Sequence, residues 1–171
     1  MIYTQYASPL GKLLLAASSH GLAGVYFEEH RHFKGIAGWQ RDDAYSVLQH
    51  TTQQLDDYFA GTRVEFDLPL DLSQGTVFQQ SVWQALKNIA FGSTTSYAGI
   101  ARQIGNPGAV RAVGAANGRN PLSIIIPCHR VIASSGALTG YAGGVTNKKA
   151  LLAMEATFGS NKVPDLRLKK M

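Results

Sequence analysis

Three residues of this 171-residue chain have types and spacing suited to nucleophilic chemistry: Cys128, His129 directly after it, and Glu155 further on. Cys128 is the only cysteine and lies in the stretch IIIPCHRVI, residues 124–132. A thiolate is a strong nucleophile, an imidazole can take the thiol proton, and a carboxylate can orient the imidazole. Neighbours in an extended segment point to opposite faces, so direct contact between Cys128 and His129 is not assured, and a water can link them. Between Asp71 and Glu155 the chain has no carboxylate, whereas Lys87, Arg102, Arg111, Arg119, Arg130, Lys148 and Lys149 are present. This basic surrounding predicts a favoured thiolate and leaves Glu155 as the carboxylate to examine. The same residues also fit a plainer reading, a buried core cysteine and a solvent-facing glutamate.

The elements around these residues must position them. TNKKALLAMEATFG reads as a helix capped by Asn147 and ended near Gly159, which puts Glu155 in its last turns. There the macrodipole disfavours a negative charge, so a compensating partner is expected. Upstream, TTSYAGIARQIGNPGAVRAVGAANGRNP predicts a helix through about Gln103, a breaking GNPG turn, and a second helix from about Ala109 to Asn117. Such a pair is a helix-turn-helix signature, weak by itself. The second helix is nearly smooth, with Ala109, Ala112, Gly114, Ala115 and Ala116, and Arg111 is its only long charged side chain. A smooth helix suits close, shape-based approach to a minor groove better than base-edge reading in the major groove. Ahead of it, TVFQQSVWQALKNIAFG places Phe78, Val82, Leu86 and Ile89 on one helical stripe.

The first 72 residues carry no motif. YTQYA, KLLLAA and LAGVYF are short strand-like runs, the last two joined as a hairpin by SSHG, and an antiparallel sheet is expected. AYSVLQHTTQQLDDYFAG follows as a helix ending at Gly61, and RVEFDLPL alternates as a strand would. The expected fold is an α/β N-terminal domain with a small antiparallel sheet, then a mainly α, winged-helix-like domain containing the helix-turn-helix. The boundaries are 1–72, 73–160 and a basic tail, 161–171, with Ser73 to Gly75 as linker.

Composition bounds the function classes. Residues 1–71 hold nine acids and five bases, whereas residues 72–171 hold eleven bases and two acids. A basic half attracts polyanions, nucleic acid first, although a basic surface can also serve solubility alone. No apolar run approaches the roughly 18 residues of a membrane span. One cysteine allows no internal disulfide, and the N-terminus lacks a basic signal-peptide region, so a cytoplasmic protein is expected. His30 and His32 lack a nearby cysteine and sit in the highly polar EEHRHFKG, which argues against zinc.

Taken together, PCHRVI, the preceding RAVGAANGRNP and the following GYAGG resemble the active-site region of the methylated-DNA-protein-cysteine methyltransferases, the 6-O-alkylguanine-DNA alkyltransferases. The resemblance covers about residues 75–159, and more loosely the N-terminal half. It implies Cys128 as alkyl acceptor, His129 as base acting through a water, Glu155 as the carboxylate orienting it, and Asn120 as the brace of the turn ahead. It implies Arg111 as the residue filling the stack left by an extruded guanine, and Tyr97 as crowding the target phosphate. Arg119, Ala112 and Gly114 complete the implied DNA face, and Tyr141, Ala142 and Val131 the base pocket. Ala142 stands where some members have serine, and Ser123 where some have proline; both bear on substrate preference. The implied partner is duplex DNA bearing alkylated guanine, bound as a monomer without cofactor or metal. A thiol hydrolase would instead need an oxyanion hole and turn over, a plain DNA-binding regulator would need neither Cys128 nor Glu155, and an inactive alkyltransferase-like binder would lack the thiol.

Overall fold

The structure is a computed structural model that describes residues 1–138 and 140–170, with side-chain surroundings described through Gly159. Strands β1 (Ile2–Ser8), β2 (Gly11–Ser18) and β3 (Gly21–Phe27) form an antiparallel meander, and the short β4 (Gln40–Arg41) adds in parallel beside β1, giving the order β3-β2-β1-β4. Helix α1 (Ser46–Phe59) lays Leu48, Thr51, Leu55 and Tyr58 against this sheet. β3 is fully buried, although it stands at the sheet's edge. Its outer side is covered at two points: Leu22 bridges Leu70, and Val25 bridges Leu122. Val25 N donates to Pro121 O at 2.8 Å, and Ser123 N donates to Val25 O at 3.2 Å. The segment leading to Cys128 is thereby pinned to the N-terminal sheet, which also protects that edge from foreign pairing.

The second half is built on α2 (Val77–Leu86), α3 (Tyr97–Gln103) and α4 (Val110–Gly118). Thr76 and Gln79 form a reciprocal capping box that starts α2, and Ser96 caps α3 by accepting from Gly99 N. Between α3 and α4 the chain reverses through Gly105, whose φ of +76° favours glycine. Trp83 Nε1 donates to Ala116 O at 2.8 Å, locking α2 to α4 inside the core. Two-residue strands β5 (Thr95–Ser96) and β6 (Val131–Ile132) pair in parallel, and helix α5 (Val145–Lys170) closes the fold. One hydrophobic cluster runs through both halves, from Leu15 and Leu55 to Val82, Ile126 and Leu151. The expected fold class holds: a sheet-bearing α/β N-terminal half and a helical half containing the helix-turn-helix.

Four local expectations are corrected. RVEFDLPL forms no strand, because the Gln54 side chain takes both backbone groups of Asp67, at 2.9 Å each, in place of a neighbouring strand. The stretch around Cys128 is not extended; Cys128–Arg130 forms one 3₁₀ turn. Helix α5 starts at Val145 and runs to Lys170, so Asn147 sits inside it and Gly159 does not end it. Glu155 therefore lies mid-helix, where the macrodipole acts little and the argument from an unfavourable helix end fails. The side chains of the expected basic tail, 161–171, lie outside the described residues.

Candidate active site

The 3₁₀ turn is held from both sides. Asn120 Oδ1 accepts from Leu122 N at 3.0 Å, while its Nδ2 donates to Ile126 O at 2.8 Å, clamping the loop that carries Ile124 at φ +73°. A β-branched residue there is strained, and the clamp keeps it in place. Asn117 Nδ2, at the end of α4, donates to the Cys128 carbonyl at 3.4 Å. The smooth helix and the thiol are thus tied through one side chain.

Within this turn Cys128 is 4% exposed. Burial pushes its thiol up to about 11, against the opposing pull of Asn120 and Lys148. The expectation that a basic surrounding favours the thiolate is therefore overturned: desolvation outweighs the cations. The resting group is a thiol, and reaction requires removal of its proton.

The imidazole next in sequence is that of His129. Its Nε2 lies 2.7 Å from Glu155 Oε2, and both side chains are buried. Burial lowers the imidazole's pKa, with Glu155 acting in the opposite sense. Burial would raise Glu155, but the hydrogen bonds and charges of His129 and Arg130 hold its carboxyl at about 2. The ionised carboxylate only accepts, so Nε2 must carry the ring proton of neutral His129. Nδ1 is then the basic nitrogen, and among the described residues it has no hydrogen-bond partner.

Three further residues complete the cluster. Arg130 grips the carboxylate in bidentate fashion, Nε to Oε1 at 2.7 Å and Nη2 to Oε2 at 3.0 Å, while Nη1 donates to Ile89 O at 2.7 Å. Tyr58, from α1, donates its hydroxyl to Oε2 at 2.6 Å. Lys148 is fully buried and acts on Cys128 and His129, its own pKa lowered by burial. The compensating partner expected for Glu155 is thus threefold: His129, Arg130 and Tyr58. Sequence reasoning assigned no site role to Arg130, Lys148 or Tyr58. The absence of other carboxylates near Arg130 was a usable signal; nothing in the sequence connects Tyr58 with Glu155.

The remaining candidates divide between interior and surface. Tyr141 is buried, its ring edge-on to Phe27 at 6.1 Å, with Ser123 and Cys128 beside its hydroxyl. The Ala142 carbonyl accepts from Arg31 N at 2.9 Å, so the N-terminal half holds this loop. Val131 is buried in β6, paired with Thr95. Arg111, Ala112 and Arg119 are exposed on or just beyond α4, and a Cβ on Gly114 would stand 3.8 Å from the Tyr97 ring. Arg111 and the small-residue face of α4 therefore look outward, with Tyr97 alongside.

Residues 1–72 match the family described as 6-O-methylguanine DNA methyltransferase, ribonuclease-like domain, and residues 77–157 match its DNA binding domain. The chain belongs to the 6-O-methylguanine DNA methyltransferase family. It is 49% identical to the methylated-DNA--protein-cysteine methyltransferase of Mycobacterium tuberculosis over 153 residues, covering 90% of this chain and 91% of the relative. To the constitutive enzyme of Bacillus subtilis it is 46% identical over 152 residues, covering 88% and 92%. The crystal structure of Mycobacterium tuberculosis OGT in complex with DNA superposes with a TM-score of 0.85 at 47% identity, covering 92% of this chain and 94% of that one. Among the described residues, no helix is long and apolar enough to cross a membrane.

Proposed function

We propose that this methyltransferase is a DNA repair protein that extrudes 6-O-alkylguanine from duplex DNA and takes the alkyl group onto its own Cys128. The Cys128 proton passes, by way of a water, to His129 Nδ1 as Sγ attacks the alkyl carbon. The bond from that carbon to guanine O6 breaks, and its electron pair stays on the guanine, which is reprotonated at the expense of the imidazolium. Glu155, ionised beside Nε2, stabilises the imidazolium while it exists. A thioether has no activated leaving step, so each molecule acts once.

The remaining roles follow the surface. Arg111 enters the base stack, Tyr97 crowds the target phosphate, and Ala112, Gly114 and Arg119 lie along the DNA, with α4 in the minor groove. Small side chains permit that close approach, and extrusion costs a few kcal/mol that an inserted guanidinium partly offsets. Tyr141, Ala142 and Val131 wall the base pocket, and the protein works in the cytoplasm as a monomer. The observation that carries this reading is the buried 2.7 Å contact between His129 and Glu155 beside the chain's single cysteine.

The test is to incubate the protein with duplex DNA carrying one labelled 6-O-methylguanine and to weigh and map the product. One methyl group per protein, on Cys128, is expected. More than one equivalent repaired, or a methyl group on another residue, overturns the reading.

A further inference from the structure

The Tyr58 hydroxyl meets a residue 97 positions along the chain, donating to Glu155 Oε2 at 2.6 Å. The ring needs no hydroxyl to fill its place. It is fully buried among Phe59, Phe66 and Phe91, with centroids 5.1, 5.5 and 6.1 Å away. A phenylalanine would occupy the same space without burying a polar group, whose desolvation must be met by a hydrogen bond. That bond is aimed at the one carboxylate oxygen that also contacts the histidine.

Accordingly, we propose that Tyr58 is a positioning residue of the transfer reaction, supplied by the N-terminal half: it fixes Glu155 Oε2 and limits how strongly that oxygen draws on His129. The proposal rests on the Glu155–His129 relay described above. Oε2 meets three donors, the Tyr58 hydroxyl, Arg130 Nη2 and His129 Nε2. Each donor withdraws charge from the oxygen, leaving less to stabilise an imidazolium. Burial beside Glu155 also raises the Tyr58 pKa, so the hydroxyl stays a donor throughout the working range of pH. No bond to Tyr58 forms or breaks during transfer.

The other charged and titratable groups facing the relay come from separate elements. Arg130 lies on the 3₁₀ turn, Tyr141 on the loop after β6, and Lys148 on α5, where it acts on Cys128 and His129. A Tyr58→Phe change leaves all of them in place and removes one donor. The carboxylate then becomes more basic and better stabilises the imidazolium, so His129 keeps its proton to higher pH and serves as the base only above it. The freed oxygen is also less firmly placed, which slows the plateau.

The experiment is single-turnover methyl transfer from saturating 6-O-methylguanine duplex across pH, for the wild type, Tyr58→Phe, Glu155→Gln and the double variant. Tyr58→Phe is expected to move the midpoint of the rate profile up by about half a pH unit and to lower the plateau about threefold, the size of one net hydrogen bond. Glu155→Gln is expected to move the midpoint down, because the imidazolium loses its counter-charge, and in that background Tyr58→Phe should move it no further. Placing 3-fluorotyrosine at position 58 keeps the ring, strengthens the donor, and should move the midpoint downward. If Glu155→Gln moves the midpoint while both changes at position 58 leave it in place, Tyr58 only packs and the proposal is overturned. An unmoved midpoint in Glu155→Gln overturns the relay, and the proposal with it.

Discussion

At the scale of single residues, burial holds the Cys128 thiol in its protonated form. A group held near 11 is almost wholly protonated at neutral pH, so the reaction depends on a base beside it. Cys128→Ser is expected to abolish transfer while leaving affinity for duplex DNA within about twofold, because phosphate contacts supply most of the binding energy. Single-turnover repair and a binding titration at one salt concentration check both halves of that statement. Glu155 adds a stability term to its chemical one. Its carboxyl is depressed from 4.5 to about 2 in the folded chain, so the unfolded state binds the proton more readily. The stabilisation is complete above pH 4.5 and is lost as the pH falls toward 2. Glu155→Gln leaves Arg130 buried without its counter-charge, which costs about 3 kcal/mol at neutral pH. Chemical denaturation at pH 7 and pH 3 should show a gap between wild type and variant that narrows in acid.

At the scale of elements, α4 joins surface to site. Arg111 stands exposed in its first turn, and Asn117 at its other end holds the Cys128 carbonyl. If Arg111 fills the vacated stack, Arg111→Ala should lose far more rate on duplex DNA than on the free alkylated base, where nothing has to be opened. Arg111→Lys should recover only part, since an ammonium stacks poorly beside a guanidinium. Equal fractional losses on duplex and free base would leave Arg111 an ordinary surface cation. The α3–α4 pair was legible in the sequence because it rests on local signals: Ser96 caps α3, Gly105 turns the chain, and small residues fill α4. The β1 to β3 meander was legible for the same reason. What was not legible depends on partners distant in the chain. RVEFDLPL has a strand's alternation, yet Gln54 claims its backbone. The thiol's elevated pKa follows from burial, which charge counting along the sequence does not contain. Nothing local in the sequence marks Tyr58, because only the tertiary fold brings it to Glu155.

At the scale of the whole molecule, the acidic first half and the basic second half are joined through buried contacts that acid should loosen. His30, on the loop after β3, is 6% exposed, stacked edge-on to Tyr26 at 5.1 Å and in weak contact with the Asn120 backbone. Burial, with the like charge of His32, lowers its pKa from 6.5 to about 4. The sign is that of a group buried neutral. The unfolded chain takes up the proton first, so stability is full above pH 6.5 and falls as the pH drops to 4, by on the order of 2 kcal/mol. His129 titrates in the same sense, so the loss in the wild type is shared between the two histidines. His30→Gln keeps a polar group of similar reach and removes one of them. Melting temperatures measured from pH 7 to pH 4 should therefore fall less steeply in His30→Gln than in the wild type, with the curves converging toward acid. The same contact reaches the site, because the Asn120 side chain clamps the turn that carries Cys128. Transfer by the wild type after brief exposure to pH 5 should recover fully on return to pH 7, since folded His30 is still mostly neutral there and the thiol is unaltered. Parallel melting curves would show that His30 pays no protonation cost and that acid acts on the fold elsewhere.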